Sequence, residues 1–174
     1  MSEGEIQREA PGWRHQGERR TVVFRPGLAA ELPEALRDEG WEGFELLSTE
    51  RALAGVPGLA EAAEALHLVP HGQVPEAAAQ VLPNVGSERL VALGGGRVID
   101  AAKAVAAARG GAVAAVPTTL SGAEMTAIHR MPAGAEGSAG VRPQLVLADP
   151  ALMTSAPEPQ LRATAMNAME NGAD

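Results

Sequence analysis

Six short apolar runs recur along the chain: Thr21–Phe24, Phe44–Leu47, Leu66–Val69, Leu90–Leu93, Ala112–Val116 and Leu145–Ala148. Each is bounded by Gly, Pro or polar residues, as strands buried on both faces are. Between them lie stretches of helical character: Leu28–Asp38, Leu59–Ala65, Pro75–Leu82 and Val98–Ala108. Strands alternating with helices imply right-handed crossovers and a parallel sheet covered on both faces. The predicted fold class is therefore α/β, an open parallel sheet with helices on both faces.

The rhythm leaves three segments over. Residues 1–20 (MSEGEIQREAPGWRHQGERR) are polar, carry neither period and are expected to form a flexible tail. Met131–Val141 is rich in Gly, Ala and Pro and predicts a loop. After Asp149-Pro150 the pattern changes, and Gln160–Glu170 predicts one amphipathic helix with no later element to pack against. The expected organisation is a tail over 1–20, an α/β domain over 21–150 and a further segment over 151–174.

With 174 residues and 45% apolar side chains, one domain with a real core is expected. Aromatics are only 2%, so Leu, Val and Ala must build that core. A net charge of −8 argues against a nucleic-acid partner, because phosphate binding needs clustered Lys and Arg. No apolar run approaches the roughly 18 residues of a membrane helix, and the N-terminus lacks the apolar segment of a secretory signal. The chain has no cysteine, which excludes disulfides and thiolate metal sites. These features predict a cytoplasmic protein with no membrane partner.

Two motifs carry chemistry. In LVALGGGRVIDAAKAVAAA a strand ends at Leu93 and a helix opens near Arg97. Gly94, Gly95 and Gly96 lack a Cβ, so a ligand can approach the backbone, and the helix start favours a phosphate or pyrophosphate. Asp100 and Lys103 lie at i and i+3 on that helix, and Lys103 is the only lysine against thirteen arginines. An ordinary surface ion pair is the alternative for these two. In AVAAVPTTLSGAEMTAI a strand runs into Thr118, Thr119, Ser121 and Glu124. Helix capping would explain the hydroxyls. Both motifs, however, fall at strand carboxyl ends, where an open parallel sheet places its ligand crevice.

GGGxxxDxxK followed one strand later by PTTxxSGxE resembles the iron-containing alcohol dehydrogenase family, a group similar to glycerol dehydrogenase and dehydroquinate synthase. TVVFRPGLAAELPEAL, ELLSTERAL and PQLVLADPALM resemble that family's first strand and helix, second strand and domain-closing strand. SGAEMTAI and LRATAMNAMENGAD are closest to the maleylacetate reductase branch. The resemblance covers residues 21–174. It implies a Rossmann-like dinucleotide-binding domain over 21–150 and, from about residue 151, the first helix of an all-α domain that is mostly missing from this chain.

It also implies a homodimeric, NAD(P)-dependent oxidoreductase that transfers hydride to a small carbonyl or enol substrate. Cofactor contacts are expected from Glu50, Gly94, Gly95, Gly96, Arg97, Asp100, Lys103, Thr118, Thr119 and Ser121. Glu50 follows Ser48 and Thr49 near the adenosine ribose, which favours NAD, whereas Arg51 would suit the extra phosphate of NADP. His71 and His129 are candidates for the catalytic region, with a solvated or packed histidine as the alternative for each. The chain departs from the family where Arg97 and Ala123 replace serines. It departs again where Asn167 and Asn171 stand at the positions of the metal-binding Asp and His. Amides are poor ligands for Fe²⁺ or Zn²⁺, so no metal is expected. A non-catalytic dinucleotide-binding or partner-complementing relative of the family is the alternative function.

Overall fold

The computed structural model describes residues 5–9, 11–137 and 140–171, with side chains for 11–137 and 140–166. An eight-stranded sheet forms the centre: β1 (Glu5–Glu9), β2 (Gly12–Gln16), β3 (Thr21–Phe24), β4 (Glu45–Ser48), β5 (Ala65–Leu68), β6 (Arg89–Gly94), β7 (Ala112–Pro117) and β8 (Leu145–Ala148). Its spatial order is β1-β2-β3-β8-β7-β6-β4-β5. The six strands from β3 to β5 in that order run parallel, and β1 and β2 add an antiparallel hairpin beside β3.

Period-two alternation divides the apolar side chains between two cores. Leu47, Leu90, Ala92, Val113, Ala115, Val146 and Ala148 point to one face, under α4 (Val74–Val81) and α5 (Gly96–Arg109). Leu46, Val91, Leu93, Ala114, Val116, Leu145 and Leu147 point to the other. There they meet a 3₁₀ turn (Leu28–Glu31) with α1 (Leu32–Asp38), α2 (Glu50–Ala54) and α3 (Pro57–Ala62). The central runs Leu90–Leu93 and Leu145–Ala148 are buried on both faces and apolar throughout, which is why they stand out in the sequence, whereas the edge strand β5 leaves Leu66 and Leu68 exposed. After β8 come α6 (Pro150–Met153) and α7 (Glu158–Asn171). Asp149 is wholly buried and joins the ends of the fold. It caps α6 through Ala151 N at 2.9 Å and accepts from Ala29 N at 2.9 Å.

The expected flexible tail over 1–20 is corrected: Glu5–Glu9 and Gly12–Gln16 are strands. Long-range contacts hold them. Trp13 stacks on Phe24 with centroids 5.8 Å apart, and Arg14 binds both oxygens of Glu39 at 3.1 Å. Gly12 permits the approach, because a Cβ there would lie 2.5 Å from the Phe24 carbonyl. The helix expected over Leu59–Ala65 instead occupies Pro57–Ala62, and Ala65 already belongs to β5. The short α2 and α6 add to the expected helices, while Met131–Val141 carries neither helix nor strand among the described residues.

At the amino end of β4, Glu45 is 7% exposed. It accepts from Gly86 N and Ser87 N at 2.9 Å and meets His67 Nε2 at 2.6 Å. Burial pushes its pKa up, but the His67 bond and the two amides outweigh this, and the net pKa lies below that of an ordinary carboxylate. A depressed carboxylate contributes stability above its unfolded pKa and loses it as pH falls through the folded one. Urea denaturation should therefore find this contribution intact at neutral pH and declining below about pH 4.3, the ordinary glutamate value. Glu45→Gln should cost about 1–2 kcal/mol at pH 7 and remove that part of the acid dependence. An unchanged acid limb in the variant would refute the assignment.

Candidate active-site cleft

The chain leaves β4 towards α2 and α3 on one face and leaves β6 towards α5 on the other. Adjacent strands whose connections diverge open a crevice at their carboxyl ends. A cleft of about 670 Å³ lies there. The β4 end supplies Thr49, Glu50 and Arg51, the β5 end Leu68, Val69 and His71, and the β6 end Gly95, Gly96, Arg97 and Val98. Ser48 ties the strand ends together, its Oγ donating to Leu93 O at 2.8 Å.

Gly95 caps α5 in an extended conformation, and the first amides of that helix have no partner within it. The three glycines serve different ends. A Cβ on Gly94 would fall 2.7 Å from Val98, so this residue lets α5 pack on β6, and it does not line the cleft. A Cβ on Gly95 would meet Thr119 Cγ2 at 3.0 Å, and one on Gly96 would meet Ser121 Oγ at 3.1 Å. The glycine turn and the Thr-Ser turn therefore interlock, which brings both motifs to one place. Thr118 and Thr119 are buried with hydroxyls that have no partner, and Arg97 Nε is buried and equally unpaired. Neither threonine lines the cleft, whereas Arg97 and the start of α5 do, and an unpaired guanidinium nitrogen beside free helix amides fits an anionic ligand such as a dinucleotide.

The surface-pair alternative for Lys103 is excluded by burial: the side chain is 0% exposed. Its Nζ donates to Asp100 Oδ1 at 2.7 Å and to Ala123 O at 2.9 Å, binding α5 to the second turn. Asp100 and Ser121 line a neighbouring cleft of about 760 Å³ together with Glu124. Glu124 is 5% exposed, and its Oε2 has no partner. Burial raises its pKa above the ordinary glutamate value, the pull of Arg20 and Lys103 notwithstanding. Arg20, 104 residues away, holds the Glu124 carbonyl at 2.9 Å. Glu124 stands in the second motif, whereas nothing in the sequence marks Arg20 as its partner.

His71 reaches the first cleft, with Arg97 Nη1 3.4 Å from its Nδ1. His129 is occupied differently. Its Nε2 accepts from Val141 N at 3.2 Å and its Nδ1 lies 3.3 Å from Arg130 O, so the ring closes the loop between them. The side chains of Asn167 and Asn171 lie outside the described residues. Among the described residues no group of three His, Asp or Glu could hold a metal ion. Amides at these two positions are poor ligands for the family's metal, and no chemical step is derived through one.

Fold and cleft together define a doubly wound, Rossmann-like sheet with a cleft at its switch point. The chain belongs to the iron-containing alcohol dehydrogenase family, a family of oxidoreductases, whose model matches residues 23–157. A maleylacetate reductase of Cupriavidus pinatubonensis is 33% identical over 165 residues, covering 88% of this chain and 46% of that protein. The chain thus spans about half the length of the curated relatives it matches. The crystal structure of maleylacetate reductase from Agrobacterium tumefaciens superposes with a TM-score of 0.74 at 24% identity, over 91% of this chain and 49% of that one. More distantly, sulfoacetaldehyde reductase from Bifidobacterium kashiwanohense was solved with NAD⁺ (TM-score 0.65, 21% identity, 87% and 50% covered). A 2-deoxy-scyllo-inosose synthase was solved with NAD⁺ and Co²⁺ (0.62, 17%, 84% and 46%). Because that neighbour holds a metal and the family is described as iron-containing, the expectation of a metal-free protein gains no support from its relatives. No helix among the described residues is long and apolar enough to cross a membrane.

Proposed function

We propose that this chain supplies the cofactor-binding half of an NAD-dependent oxidoreductase of the maleylacetate reductase type. On this reading residues 21–150 are the dinucleotide-binding domain. The observation that carries the proposal is the cleft at the β4–β6 switch point, with the start of α5 and the buried, unpaired Arg97 Nε at its edge. The α5 amides and Arg97 hold the pyrophosphate, and Glu50 faces the adenosine ribose. Thr118, Thr119 and Ser121 carry hydroxyls towards the rest of the cofactor. Lys103 and Asp100 keep the second turn in register with α5. The bound nicotinamide would supply the hydride for a small carbonyl or enol substrate.

Calorimetric titration with NADH tests the core of this reading, and absence of saturable binding ends it. Glu50 is the first residue of α2, after the Thr49 cap, and its carboxylate repels a ribose 2′-phosphate. NADH should therefore bind about tenfold more tightly than NADPH, a difference of about 1.4 kcal/mol. Glu50→Ala should raise NADPH affinity several-fold, because Arg51 lines the same cleft and is then free to meet that phosphate. A wild-type preference for NADPH, or no gain in the variant, counts against the cofactor assignment. Asn167 and Asn171 favour a second reading, a relative that binds dinucleotide without turnover. NADH binding with no maleylacetate-dependent NADH oxidation would select it.

A further inference from the structure

Beside the hairpin lies a third cleft, of about 710 Å³, lined by Trp13, His15, Arg20, Val22, Met125 and Arg142 among others. It shares no lining residue with the cleft at the switch point. We propose that it binds a small planar organic anion, a carboxylate on a flat unsaturated or aromatic body.

Charge is the first argument. The chain carries eight more acidic than basic residues, yet the lining holds two guanidinium groups, an imidazole and no carboxylate. Arg142 is exposed and has no hydrogen-bond partner among the described residues. Arg20 is anchored. Its Nη2 donates to Glu124 O at 2.9 Å and lies 3.1 Å from Met125 Sδ, while its Nε is buried without a partner. Burial, and then the charge of Arg142, lower the Arg20 pKa against the opposing pull of Glu124, so the two cations sense each other. Two like charges converging on one cleft are relieved by an anion between them. A guanidinium fork matches a carboxylate through paired N–H bonds, which makes the carboxylate the favoured charge.

Shape is the second argument. Trp13 is fixed by stacking on Phe24 at an interplanar angle of 12°, yet it stays 38% exposed along the cleft. A fixed aromatic wall beside Val22 and Met125 favours a flat apolar body over a hydrated spherical ion.

Calorimetry on the whole chain tests this with benzoate as the probe, against cyclohexanecarboxylate and inorganic phosphate. Benzoate should bind saturably, with a dissociation constant on the order of millimolar for so small a ligand. Saturating NADH should leave that binding unchanged. Cyclohexanecarboxylate and phosphate should bind more weakly. Arg142→Ala should weaken benzoate about tenfold, the usual loss for one charge-assisted bond. Arg142→Lys should fall between, since it keeps the charge without the fork. Circular dichroism checks that both variants fold, and Arg142 is exposed enough to be replaced. No saturable binding would overturn the proposal, as would equal affinity in Arg142→Ala, phosphate binding as tightly as benzoate, or displacement of benzoate by NADH.

Discussion

Asp100→Ala should destabilise the chain by about 3 kcal/mol, several times the effect of removing its partner by Lys103→Met. Lys103 heads the large side chains with no solvent exposure, and its ammonium has two hydrogen-bond acceptors, Asp100 Oδ1 and Ala123 O. Taking away the carboxylate strands a positive charge in the interior. Such a break typically costs about 3–5 kcal/mol, and the lower end applies because the Ala123 carbonyl remains and Glu124 is nearby. Lys103→Met removes the charge itself and keeps an unbranched chain of similar volume. Asp100 is 29% exposed and can turn to water, so the main loss is the bond to Ala123 O, about 1 kcal/mol. Urea denaturation of both variants at pH 7 decides the matter. Equal destabilisation would mean that packing, rather than a buried charge, holds α5 to the second turn. Under the proposed function both variants also lose NADH affinity, because the Thr-Ser turn is no longer held against α5.

The central strands were legible because burial on both faces leaves no polar position in a run such as Leu90–Leu93 or Leu145–Ala148, and the edge strand β5 because its run Leu66–Val69 is mostly apolar although Leu66 and Leu68 are exposed. The hairpin was not. In Gly12–Gln16 the polar side chains sit at half-buried or exposed positions, and their partners, Phe24 and Glu39, are distant in sequence. The two turns of the cleft were legible as motifs because their chemistry is local: glycines before a helix, hydroxyls after a strand. Their interlocking was not, since it depends on where a missing Cβ would point. The place of Arg20 beneath Glu124 spans 104 residues, and no local pattern encodes it. His129, beside the second motif, was open to two readings in the sequence; its ring nitrogens meet Val141 N and Arg130 O, and the ring also lines a small cleft with Asp100.

Gly95→Val is expected to abolish measurable NADH binding and also to destabilise the chain by about 1–3 kcal/mol, as overpacking does. The sequence alone suggests a milder effect, with the ligand excluded and the fold intact. The structure argues otherwise. Gly95 has φ −81° and ψ −173°, a conformation open to any residue, so backbone strain is not the cause. Its missing Cβ faces Thr119, where even one added carbon would lie 3.0 Å from Cγ2 and 3.1 Å from Oγ1. The second turn must then move away from α5, and Ser121, packed against Gly96 in the same way, moves with it. The steric cause can be separated from direct occlusion of the ligand. Gly95→Ala alone should show an intermediate loss of stability and affinity. Thr119→Ser in that background removes the nearer carbon and keeps the hydroxyl, so both losses should shrink, with a coupling above about 0.5 kcal/mol for residues in contact. If Thr119→Ser restores stability but not NADH affinity, the methyl added by Gly95→Ala itself blocks the pyrophosphate. If it restores neither, the two turns do not interlock through this contact, and Thr119 is not what keeps a side chain out of this position.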